Sequence, residues 1–119
     1  MLGVKPLLLV TALFLLAACS MRGQPEPGAS GSEIYAVAGC IACHGSSRDG
    51  ASIAPSLHNL GSNWNVEELS MYLEDPSTWI EGSERMQKVD QSYTGTMPAF
   101  DNLDLQERQR LAAWLIAQD

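Results

Sequence analysis

The chain has 119 residues, room for one domain. Fourteen acidic residues against seven basic ones give a formal net charge of -7. That excludes a nucleic-acid binder, which needs a basic face to displace condensed counterions. A hydrophobic fraction of 45% excludes wholesale disorder, while an aromatic share of only 7% leaves a small core short of bulk. Three cysteines are too few for a disulfide scaffold, and their odd number asks for a use for each.

Residues 1–18 carry one charge, Lys5, ahead of an apolar run from Leu7 to Ala18. The run falls well short of the roughly 20 residues of a membrane span and fits the apolar part of a signal peptide. It ends Leu16-Ala17-Ala18-Cys19, which resembles the lipobox of bacterial lipoproteins. The resemblance implies that Cys19 takes a diacylglyceryl group and becomes the first residue of the mature chain. An ordinary secretory signal with a chance cysteine is the other reading, and both place the protein outside the cytoplasm. The lipobox implies a membrane-anchored protein on the periplasmic side, and Ser20 after the cysteine hints at the outer membrane. An acidic body is not held to anionic lipid by charge, so the acyl chains do the anchoring.

Residues 19–31 are rich in Pro, Gly, Ser and Gln and lack apolar periodicity, so they are expected to form a flexible tether. The domain is expected over 32–119, with three helical patterns. The first covers about 32–43. The second follows Asn65, where Asn65 and Glu68 have capping-box spacing, and Pro76 is expected to end it. The third follows Asp104, again with a glutamate three residues on, and presents Leu111, Trp114 and Leu115 as an apolar stripe. The stretches 45–64 and 77–103 read as long irregular loops. Loops of that length in so small a domain are expected to wrap around something.

Cys40-Ile41-Ala42-Cys43-His44 says what. On a helix these two thiols and the imidazole share one face, being related by three and four residues. Two thiols so spaced can each add to a vinyl group of one porphyrin, while the adjacent imidazole ligates its iron. This is the attachment signature of haem c. A structural zinc site lacks a second pair of ligands, a thioredoxin-like pair lacks a βαβ context, and a disulfide across so short a helical loop is disfavoured. One covalent haem also supplies the bulk that the side chains lack.

From Gly31 onward the sequence resembles the class I cytochromes c of bacteria. The resemblance rests on Gly31, Tyr35 and Gly39 ahead of the haem motif, on Ala54-Pro55-Ser56-Leu57, on Thr96-Met97-Pro98-Ala99-Phe100, and on a last helix with Trp114. It implies an all-α fold of short helices and long loops around one haem, with the first and last helices crossing. Gly39 and Tyr35 would meet Trp114 and Leu115 there. It also implies that the Pro55 carbonyl accepts a hydrogen bond from His44, that Leu57 packs on the haem, and that the Trp64 indole reaches a propionate.

The second axial ligand is expected to be Met97, stiffened by Pro98 and placed just before the last helix. Met86 is its rival, because Asp75-Pro76 and Gly82 to Met86 resemble a ligand loop of related cytochromes, although Gln87 stands where proline is usual. Met71 reads as packing or surface, and His58 follows His44 too closely to cross the haem. His/Met ligation saturates iron and raises its potential. The expected function is transfer of single electrons between redox partners bearing basic docking faces, and not catalysis, although such a carrier can serve as a subunit of an oxidoreductase. A haem enzyme or gas sensor with an open sixth site is the alternative.

Overall fold

The computed structural model describes residues 23–118, and Cys19 and the signal segment lie outside them. Six α-helices and one 3-10 turn make up the regular structure, and the described residues contain no strand. They are α1 (Gly31–Val37), α2 (Ile41–His44), the 3-10 turn Leu60–Ser62, α3 (Val66–Glu74), α4 (Pro76–Glu81), α5 (Glu84–Ser92) and α6 (Leu105–Ala117). The all-α expectation holds. No helix among the described residues is long and apolar enough to cross a membrane.

Local chemistry sets the helix starts. Ser30, Asn65 and Asp104 each cap through the side chain and receive a glutamate three residues on, at Glu33, Glu68 and Glu107. The last two capping boxes are those read from the sequence. The first helical pattern, however, is two helices. Gly39 adopts φ 89° between them, so the chain turns at Ala38–Cys40 before α2 begins.

The stretch 77–103 is not irregular throughout. As expected, α3 ends at Glu74 just ahead of Pro76; Pro76 is also the first residue of α4, and Asp75 caps that helix by accepting from the Thr78 backbone and hydroxyl. Ser83 caps α5 in the same way, accepting from the Met86 backbone at 3.3 Å. Helix α5 escaped notice because it is almost wholly polar, and Met86 is its one buried residue.

Helix α6 organises the domain by packing against both α1 and α3. Its Leu111 and Ala112 are fully buried with Ile34 of α1, and Leu115 is nearly so. Arg108 donates to the Leu103 carbonyl and lies 3.2 Å from Glu74 of α3, tying the second contact. Helices α1 and α6 do cross, but the small residue at the crossing is Gly31 rather than Gly39. A Cβ on Gly31 would lie 2.6 Å from the Arg110 carbonyl oxygen and 2.9 Å from Trp114 Cγ. Tyr35 meets Trp114 as expected, with ring centroids 5.3 Å apart.

The described part of the expected tether, Gly23 to Ser30, lies against the domain. Gly23 donates its backbone N–H to Val37 at 2.9 Å, Arg110 donates to the Ala29 carbonyl at 2.8 Å, and Pro25 and Ala29 are buried.

Because Gly31 leaves no space for a side chain, Gly31→Val is expected to push α1 off α6 at a cost of about 3 kcal/mol. A fall in the denaturant midpoint with little change in slope would record it.

Candidate functional site

The centre of the domain is a cavity of about 690 Å³. Its wall is assembled from α2, the loop 53–60, α3, α5 and the segment 93–100, with Tyr35 of α1, Ile80 of α4 and Leu115 of α6. A space of this size lined mainly by apolar groups suits a large organic cofactor.

Cys40, Cys43 and His44 all line it, as one helical face would place them. Both thiols are free; Cys40 is buried and Cys43 half-buried. Burial pushes the Cys40 thiol up to about 12, so it is held neutral. His44 is 6% exposed, and its Nδ1 lies 2.8 Å from the Pro55 carbonyl oxygen. A carbonyl can only accept, so Nδ1 carries the proton and Nε2 keeps its lone pair. Burial lowers the His44 pKa and the Pro55 bond partly offsets this, which leaves a neutral imidazole able to bind metal.

Pro55 reaches His44 because the loop folds back on itself. Gly50 donates to the His44 carbonyl, Ala51 to Ala54, and Leu57 to Arg48, each at 2.9 Å. Gly50 sits at φ 73°, and a Cβ there would be 2.5 Å from the Pro55 carbonyl carbon. Tyr35 steadies the other end by donating to the Gly45 carbonyl at 2.6 Å.

Met97 and Met86 both line the cavity. Met97 is half-buried in a segment held at both ends. Before it, Thr94 and Gly95 donate to Ser52 and Ile53 at 3.1 and 3.0 Å; after it, Phe100 donates to Leu73 at 2.8 Å. Met86 is 5% exposed in the first turn of α5. Met71 is exposed, and His58 also borders the cavity, but its Nε2 lies 2.7 Å from Asp49.

Leu57 and Trp64 also line the cavity. Trp64 packs against Tyr72 and Trp79, with centroids 5.1 and 5.5 Å apart, and the Arg85 guanidinium lies 4.9 Å from its ring centre. This aromatic cluster was not foreseen; only the helical register of α3 and α4 could have hinted at it. The pairing of 94–95 with 52–53, in which Thr94 Oγ1 also donates to the Ser52 carbonyl at 3.3 Å, was not foreseen, and a glycine at 95 was its one sequence signal.

Covalent attachment and metal binding are both within reach of this donor set: two thiols, a neutral imidazole with one committed nitrogen, and a thioether in one apolar chamber. A scan of protein-family models agrees. The model "Cytochrome c" matches residues 28–118. The chain belongs to the cytochrome c family, whose members carry covalently bound haem c. No curated protein and no solved structure matched the chain.

Gly50→Ala is expected to force the loop away from α2 and weaken the His44–Pro55 bond, costing about 1–3 kcal/mol through strain and collision. An upfield shift of the His44 Nδ1–H resonance in the reduced holoprotein, compared with wild type, reads the weakened bond directly.

Proposed function

We propose that this cytochrome c is a lipid-anchored, extracytoplasmic electron carrier whose single haem is attached through Cys40 and Cys43 and ligated by His44 and Met97. The observation that carries the reading is His44: its Nδ1–H is taken by Pro55, so the free Nε2 belongs to a wall that also holds both thiols and a methionine. When bound, haem c supplies a one-electron ferric/ferrous couple. The chain does the rest.

His44 stays neutral and oriented through both oxidation states, because the Pro55 carbonyl holds the same proton in each. Between the two methionines, Met97 is favoured by its suspension. Its segment is pinned to Ser52–Ile53 and to Leu73, and Pro98 stiffens it, so little reorganisation accompanies electron transfer. Met86 is rooted in a helical first turn and reads as core filling. A neutral thioether favours ferrous iron and raises the potential. Leu57 and Trp64 restrict water, which favours the less charged ferrous site.

The acidic surface favours redox partners with basic docking faces and brief, salt-sensitive encounters. Membrane attachment rests on the lipobox around Cys19, which places the carrier on the periplasmic side.

Cys40→Ala and Cys43→Ala should each lose a thioether and accumulate little holoprotein, as haem retained after acid–acetone extraction reports. Met97→Ala should lower the midpoint potential by on the order of 100 mV and turn the ferric form at least partly high-spin. Met86→Ala should cost about 2–5 kcal/mol of stability as a buried truncation and leave the ligation unchanged. The opposite pattern reassigns the ligand to Met86.

A further inference from the structure

If Cys19 carries the lipid, the position of the domain depends on how near to Cys19 the described chain is fastened to it. Among the described residues, that fastening is at Gly23. Its N–H bonds the Val37 carbonyl at 2.9 Å, and a Cβ on Gly23 would lie 2.7 Å from that oxygen, so the approach admits no side chain. The segment that follows is fastened again at Ala29, 6% exposed, whose carbonyl accepts from Arg110 at 2.8 Å. Pro25 is buried between the two.

The link between Cys19 and the first fastening at Gly23 is therefore four residue steps, not the whole stretch up to α1. Four residue steps span at most about 14 Å, against about 40 Å for a chain free up to Ser30. Gly23 meets the domain at the end of α1, beside Val37, which is 43% exposed although apolar. Cys40 follows three residues later, and Ile41 beside it is 39% exposed. The sequence of the link includes Arg22, a positive charge of the kind that anionic headgroups attract.

We propose that Gly23–Ser30 is a strap that shortens the lipid tether and holds the α1–α2 corner, with its exposed Val37 and its haem-attachment cysteines, against the phospholipid surface. This rests on the reading of Cys19 as a lipidated residue. The bilayer is the occupant of this corner. A carrier so held exchanges electrons with partners embedded in, or lying on, the same membrane, since it cannot swing far from it.

The test uses full-length lipidated holoprotein on phosphatidylethanolamine–phosphatidylglycerol vesicles that carry a headgroup fluorophore, which nearby haem quenches by energy transfer. A flexible insertion of about ten Gly/Ser residues between Arg22 and Gly23 raises the mean reach of the link from about 11 Å to about 21 Å and should cut quenching per bound protein about twofold. Gly23→Val, which removes the first fastening without lengthening the chain, should reduce quenching in the same direction and expose the segment to protease.

Equal quenching by the wild type and the insertion variant, with the acyl groups on Cys19 verified by mass spectrometry, would overturn the strap while leaving the anchor standing. An unacylated Cys19 overturns the anchor, and the strap with it.

Discussion

The arrangement of the site depends on the hydrogen bond between His44 Nδ1 and the Pro55 carbonyl. It selects the tautomer, leaves one nitrogen for metal, and does so from a backbone group that cannot rotate away. The loop that presents Pro55 also presents Ser52 and Ile53, whose carbonyls hold the segment leading to Met97. One fold-back thus supports the imidazole and the favoured methionine together. Under the proposed His44/Met97 ligation, that shared support would hold both ligand segments more rigidly than either alone, and a low cost of reorganisation is what a carrier of single electrons needs.

Around this loop the helices act as a shell. Leu111, Ala112 and Ile34 form a side-chain core where α1 crosses α6, but the middle of the domain is a cavity of about 690 Å³. Atoms lining an empty space have no partners on one side and lose their dispersion energy. Haem c, carried by the family, replaces those contacts. The low aromatic content and the long unpatterned stretches of the sequence follow from the same fact: this chain is built to pack against a cofactor.

The haem motif and two capping boxes were legible because each is a local chemical device, a few residues whose spacing alone places donors. The crossing of the first and last helices was anticipated, but on the wrong glycine. Gly39 looked suitable by its position before Cys40, whereas α1 and α6 meet one helix-length earlier, at Gly31. Helices α4 and α5 were missed because apolar periodicity is a poor signal in helices of six and nine residues that bury one side chain each. Their caps, Asp75 ahead of Pro76 and Ser83, were the better evidence. The strap from Gly23 was invisible for another reason: Pro, Gly and Ser describe a segment without regular structure, and such a segment can still be packed.

The cavity wall contains two methionines, of which Met97 is the one proposed for iron. The ferric spectrum of the wild-type holoprotein tests the resulting His/Met centre most directly. Low-spin iron with the weak near-infrared band of an iron–thioether bond, bleached on reduction, is the predicted result. A high-spin ferric spectrum, or a low-spin one without that band, would contradict it.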